Sequence, residues 1–412
     1  MASNNEQLRF SPRQRLISVL CFCAYLFAYL IRVNLSIALP DITEYLGFSD
    51  TSAVGHIPGT FFWTYAIGQL VSGWLGDRIS PKYMIGVGLS VSVVINILFA
   101  FSNSLSLMIV LWALNGIFQS MLWAPIMKTI VLNFEGERLR KMTFAMSLTL
   151  VFGYTISWSA STIIKTFLGW RFVFIIPAIL TSVFVICWFV LYKREGERQL
   201  ISENGASTKL SSLFHIKSFL TVITLIIFVC IFHGIIKESI NTWLPTMMDS
   251  LGTFSLSSTL GVLIIVPMVN FVGIMLMKFI MSKGKANAFF TIFILLLVSL
   301  IVSIVAAIFC NIHVAVLVGL TVAMSGLTFA VNPVLTAFLP LEFAKWNCVS
   351  TVAGLIDCAI YVGAAFSSPL TSFLADGSDW SLVTVMWAVV LVVATVASVL
   401  LKHFSSKIFA DK

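Results

Sequence analysis

Three cations and one acid stand where charged side chains are rare: Arg32, Lys128, Lys237 and Asp357 all fall inside long apolar stretches. Arginine keeps its charge at any accessible pH, and placing one at the centre of a hydrocarbon layer costs at least about 2.5–3.5 kcal/mol. Arg32 lies past the middle of an apolar run that continues to Leu39, so ligand contact is a stronger reading than snorkelling. Lys237 occupies the matching place in a later run. Two cations at matching depth are a natural clamp for an anion. A guanidinium takes carboxylate or phosphate through two parallel N–H bonds, and an ammonium adds a mobile point charge. The neighbour of Lys237, Glu238, points to a different helix face by spacing, which leaves Asp357 as the expected partner of the lysine. Asp357 itself reads as a static ion-pair partner, a gate on Lys237 or a proton carrier. Lys128 stands near the end of its run, where it can snorkel or pair with an acid at a gate.

Around these charges lie polar-tipped residues at helical spacing. Tyr25 and Tyr29 share a face, with Arg32 three residues beyond Tyr29. Tyr65, Gln69, Trp123, Asn332 and Tyr361 are further candidates to line a site, and each alone is as well explained by packing or an interhelical hydrogen bond. Gly73-Trp-Leu-Gly-Asp77-Arg78, with Lys82 four residues on, combines a turn with opposite charges and suits a switchable clamp between helices. No phosphate-cradling P-loop, hydrolase triad or metal-ligand cluster is apparent, so neither an enzyme nor a cofactor or metal is expected. The seven cysteines lie in or beside apolar segments, and Cys21-x-Cys23 reads as packing.

What must position these residues follows from composition. The chain is 59% hydrophobic and 10% charged over 412 residues. Soluble domains carry about 25% charged residues, so the solvent has to be lipid. The runs are near the length of a bilayer-crossing helix and do not alternate, which excludes a barrel. Spans are predicted at 16–39, 56–75, 83–101, 106–133, 142–164, 171–192, 218–248, 256–281, 287–310, 312–338, 348–374 and 380–402. The formal charge of +8 reflects topology rather than nucleic acid. Apart from the three cations inside spans, every Lys and Arg but Lys165 and Arg171 falls on one side of this layout, which marks that side as cytoplasmic and puts both termini there. The start is polar for about 15 residues with no cleavable signal.

A hydrophilic stretch, 193–217, reads as a cytoplasmic linker between a six-helix bundle at 1–192 and a second at 218–412. The bundles repeat weakly: Arg32, Leu39, Pro40, Leu46 and Gly47 recur at one constant offset as Lys237, Leu244, Pro245, Leu251 and Gly252. The expected architecture is therefore all-α, twelve transmembrane helices in two pseudo-symmetric halves, with the ligand taken between them.

Several strings resemble a known family. The loop at 73–78 and Gly169-Trp170-Arg171 are similar to signatures of the major facilitator superfamily. Tyr29-Leu-Ile-Arg32-Val-Asn34 with Leu39-Pro40, and Phe118-Gln119-Ser-Met-Leu-Trp123-Ala-Pro125-Ile-Met-Lys128, resemble its organophosphate:phosphate antiporters. The segment from Gly234 to Trp243 looks most like the glucose-6-phosphate branch. The resemblance implies an antiporter in which Arg32 and Lys237 bind phosphate, with Tyr25, Tyr29, Tyr65 and Tyr361 around it. The chain departs from the family where a frequent lysine is Gln69, a histidine is Leu150 and a tyrosine is Val331, and in having Asp357. The implied pocket is less positive, and a carboxylate or phosphonate is an alternative cargo. Proton-coupled organic-acid symport through Asp357 and a transporter-like sugar-phosphate sensor are the other readings. A monomer in a bacterial inner membrane suffices for all three.

Overall fold

The computed structural model describes residues 10–49, 51–76, 79–193, 217–251, 256–282, 287–310, 314–343, 349–375 and 379–409. They are almost entirely helical and contain no β-strand. The loop residues Asp77 and Arg78, and nearly all of the predicted linker 193–217, lie outside these ranges.

Helix α1 (Pro12–Leu30) starts at a capping box. The Ser11 hydroxyl accepts from the Gln14 backbone and the Gln14 side chain accepts from the Ser11 backbone, with Pro12 at the first helical position. The chain breaks at Ile31–Val33 and resumes as α2 (Asn34–Tyr45). The predicted first span is thus two helical segments. Then follow α3 (His56–Gly76), α4 (Pro81–Ala100), α5 (Leu105–Ser120), α6 (Trp123–Asn133), α7 (Gly136–Leu168) and α8 (Phe172–Leu191). The predicted fourth span is likewise interrupted, at Met121–Leu122, between α5 and α6.

The second half of the sequence supplies α9 (Lys217–Ser250), α10 (Leu256–Ser282), α11 (Ala288–Phe309), α12 (Val314–Pro333), α13 (Val349–Leu374) and α14 (Ser381–Phe409). After Pro333 the chain widens into a π-turn, Val334–Phe338. Asp379 caps α14, accepting the Ser381 N–H at 2.8 Å, which holds its carboxyl below the usual range. Among the described residues, eleven helical stretches, with Pro12–Tyr45 and Leu105–Asn133 each counted as one, are long and apolar enough to cross a membrane. The 21-residue α3 takes the place of the remaining predicted span.

Large apolar side chains face outward. On α8, Leu180, Val183, Ile186 and Val190 form an exposed stripe at helical spacing. Water would penalise such a stripe and lipid does not, so this is a multi-pass membrane protein.

Contacts divide the chain into two compact units, Met1–Ala38 with Ile67–Gly205, and Leu39–Ala66 with Ala206–Lys412. In the first, α4 packs on α5 and α8, and α1 on α7. In the second, α9 packs most extensively on α13, then on α14. The α9–α13 approach is so close that a Cβ on Gly234 would overlap the Ile360 carbonyl, and one on Gly363 the Ile231 carbonyl. Lipid offers no hydrophobic drive between helices, so small residues that let backbones meet are what hold them. Hydroxyls and indoles add to it: Trp243 donates to Ser368 (3.0 Å), Trp387 donates to Ser239 (2.8 Å), and Ser239 pairs with Thr371 (2.6 Å).

Candidate functional site

Each unit carries its own cationic cluster. In the first unit it is built on the break in the first span. Val33 N–H turns back to the Tyr29 carbonyl (3.0 Å), and Leu35 N–H is taken by the Asn34 side chain (3.0 Å). The Ile31 carbonyl is thereby left without its helical donor. A bare carbonyl in hydrocarbon costs several kcal/mol. Three side-chain amides supply what the helix does not: Asn96 (3.1 Å), Asn115 (3.1 Å) and Gln119 (3.2 Å) all donate to Ile31 O. Asn34 joins the set, donating to Asn96 Oδ1 at 3.1 Å and to the Val173 carbonyl at 3.2 Å.

This network fixes Arg32. With its nitrogen committed to Ile31, the Gln119 amide presents Oε1, which accepts from Arg32 Nε at 2.8 Å. The arginine is buried, 9% exposed. A bond at Nε sets the guanidinium plane, whose terminal edge is the one a carboxylate or phosphate takes bidentately. The Arg32 Cζ also lies 5.4 Å from the Tyr29 ring centre, within cation–π range. From there an aromatic series runs in both directions. Tyr29 meets Tyr25 edge-on (5.2 Å) and Tyr25 meets Trp123 (4.7 Å); on the other side Tyr29 meets Tyr154 (5.5 Å) and Tyr154 meets Trp158 (5.1 Å). Four predicted residues, Tyr25, Tyr29, Arg32 and Trp123, are therefore together. Gln69 on α3 and Lys128 on α6 are half-buried in the same unit.

The second unit's cluster sits on α9. Lys237 is 6% exposed, and its Nζ meets Glu238 Oε1 at 2.7 Å. The expectation that Asp357 is the more plausible partner, because sequence neighbours point to different helix faces, is corrected here. The lysine stem is long enough to fold back along its own helix, and in a buried setting the nearest carboxylate wins. Asp357 is nonetheless close, since it and His233 both lie within electrostatic reach of Lys237. Asn332 lies beside His233, and the Phe329 ring is 5.9 Å from Lys237 Nζ. Asn241 ties its side chain to the Lys237 carbonyl at 2.6 Å. Tyr65 and Tyr361 meet at 4.4 Å in this unit, with Phe61 and Phe62 against them.

Asp77 and Arg78, predicted as a gating clamp, lie outside the described residues. Residues that sequence reasoning did not single out are Asn96, Asn115, Gln119, Tyr154, Trp158 and His233, and Glu238 was weighed there and set aside. Asn115 and Gln119, four apart inside an apolar run, were a signal in plain view: two amides on one face of a membrane helix require partners.

Known proteins resemble the chain at two levels. The family model described as Major Facilitator Superfamily matches residues 21–356. A "Probable hexose phosphate transport protein" of Chlamydia trachomatis serovar D is 28% identical over 173 residues, 42% of this chain and 37% of that protein. The glycerol-3-phosphate transporter of Bacillus subtilis is 30% identical over 167 residues, 39% of this chain and 37% of its own. The membrane sensor protein UhpC of Escherichia coli is 36% identical over 111 residues, 27% of this chain and 25% of its own. The matched stretch thus spans well under half the length of these curated relatives. A solved bacterial homologue of the human lysosomal transporter Spinster, inward-facing and occupied, superposes with a TM-score of 0.74 over 96% of this chain and 98% of its own, at 11% identity. That likeness shows the fold.

Proposed function

Because the chain belongs to the Major Facilitator Superfamily, we propose that it is a secondary transporter of a small organic anion, in the first place an organophosphate exchanged for inorganic phosphate. The observation that carries this reading is Arg32, charged, buried and oriented by Gln119 at the break of the first span. A charge that costly to bury needs a purpose, and a guanidinium with a fixed plane is suited to a tetrahedral oxyanion. The names of the relatives, hexose phosphate and glycerol-3-phosphate transporters, support the same cargo.

In this reading Arg32 and Lys237 both engage the anionic group during the cycle. Tyr25, Tyr29, Tyr65, Tyr361, Gln69 and Trp123 orient the rest of the molecule through hydroxyls, amides and ring faces. The halves 1–192 and 218–412 rock about the site, joined by 193–217, so that it opens to one side at a time. Lys128, Asp357, Asp77 and Arg78 act in gating or coupling. The protein works as a monomer in a bacterial inner membrane with both termini in the cytoplasm.

Two other readings each have one observation in their favour. Two acids near Lys237, Glu238 and Asp357, favour proton-coupled transport of an organic acid. Similarity to UhpC, a membrane sensor, favours a sugar-phosphate sensor. Phosphate-loaded liposomes separate the three. Labelled phosphate exchanged and inhibited by one phosphoester supports the antiporter. Uptake driven by a proton gradient and inhibited by carboxylates supports the symporter, and phosphoester binding without flux supports the sensor.

A further inference from the structure

The Lys237–Glu238 pair has a consequence for which anion is taken. Both side chains are buried, 6% and 4% exposed, and in contact at 2.7 Å. A buried ion pair stabilises a fold little better than apolar residues of the same shape, so packing alone does not account for it. Its position does suggest a role, because the paired cation is the one assigned to the substrate anion. A substrate oxyanion and the Glu238 carboxylate therefore address the same ammonium.

The charges around the two cations differ. Arg32 is held by a neutral amide, Gln119. Lys237 faces the Glu238 carboxylate directly, with Asp357 from α13 in electrostatic reach and His233 one turn earlier on α9. The positive charge of Lys237 is offset before any substrate arrives. Any anion at Lys237 meets the Glu238 carboxylate beside its binding point, and the repulsion scales with the anion's charge, so it costs a dianion about twice what it costs a monoanion.

We propose that Glu238 is a built-in counter-anion that sets the charge of the cargo, disfavouring dianions relative to monoanions at the Lys237 position. The proposal rests on the reading of Lys237 as an anion-binding residue. It makes Glu238 a specificity-determining residue, acting through the lysine it pairs.

The test uses two phosphates of fixed charge near pH 8. Methyl phosphate is a dianion there, since its second ionisation lies near about pH 6, and dimethyl phosphate is a monoanion. Binding of each to the purified full-length protein is read by the rise in unfolding temperature and by competition with labelled phosphate. In Glu238→Gln the affinity ratio of dianion to monoanion should rise at least about tenfold, because one buried charge is removed beside the ligand. Glu238→Asp, which keeps the charge, should stay within about threefold of the wild type. Both anions binding to all three proteins with an unchanged ratio would overturn the proposal and leave Lys237 as an anion site. Equal shifts in the Gln and Asp variants would overturn it in favour of shape. Failure of both anions to bind the wild type would overturn the anion reading itself, and this proposal with it. A wild type that binds the dianion and not the monoanion would also overturn the proposal. Should Glu238→Gln be recoverable in no buffer, infrared difference spectra of the wild type on adding methyl phosphate decide. A changed ion-paired carboxylate band supports displacement of Glu238, and an unchanged one overturns it.

Discussion

Arg32 and Gln119 are joined by a hydrogen bond, Nε to Oε1 at 2.8 Å, whose direction is dictated by the opposite end of the same amide. Because Gln119 Nε2 is spent on the Ile31 carbonyl, its oxygen has to face the arginine. A helix break, an orphaned carbonyl and an oriented cation are thus one construction. The break creates the acceptor, the acceptor orders the amides, and one amide aims the charge.

Gln119 should therefore act as a positioning residue with a signature of its own. Gln119→Glu places a carboxylate against Arg32, competing with any substrate anion. Affinity for phosphate should fall at least about tenfold. Like Gln119→Leu, this variant also removes one of the three donors to Ile31 O, at about 1–3 kcal/mol, so both variants lose stability, while Gln119→Leu, which adds no competing charge, keeps more of the affinity. Phosphate titrations followed by unfolding temperature check both, and equal loss of affinity in the two variants would contradict the division of roles.

The α9–α13 contact offers an independent handle on the second cluster. A methyl group at Gly234 would run into the Ile360 carbonyl, which is backbone and cannot rotate away. Gly234→Ala, three residues before Lys237, should cost about 1–3 kcal/mol of stability. Gly261, with nothing near its Cβ position, is the control: Gly261→Ala should leave the unfolding temperature unchanged or slightly raised. Thermal unfolding in detergent compares the two.

Asp357 separates exchange from proton coupling. If it carries the transported proton, Asp357→Asn removes a steep pH dependence of uptake. The antiporter reading expects whatever phosphate exchange Asp357→Asn supports to keep a pH profile that follows the ionisation of phosphate. Initial rates across about pH 5.5–8.5 distinguish the outcomes.

Much of the fold was legible in the apolar runs, because a bilayer imposes length and helicity on every segment that crosses it. The breaks at Ile31–Val33 and Met121–Leu122 were not. Ile31 and Met121 carry no helix-breaking chemistry, and the first break is stabilised by amides 65 to 88 residues away in sequence. Arg32 and Lys237 stood out because ionisable residues are conspicuous in apolar sequence. Glu238 was set aside by the rule that adjacent helical residues face apart, a rule about Cβ directions that a long lysine side chain escapes. The residues around Tyr29 were half legible: Tyr25 by its spacing, Tyr154 and Trp158 only once α7 was seen to pack on α1.

The most direct test of the account is phosphate exchange in liposomes by the wild type, Arg32→Ala and Arg32→Lys. Saturable exchange in the wild type should be lost in both variants while their unfolding temperatures stay near it, because an ammonium cannot reproduce the two-pronged, Gln119-oriented contact of a guanidinium. Exchange retained by folded Arg32→Ala would contradict the account at its centre.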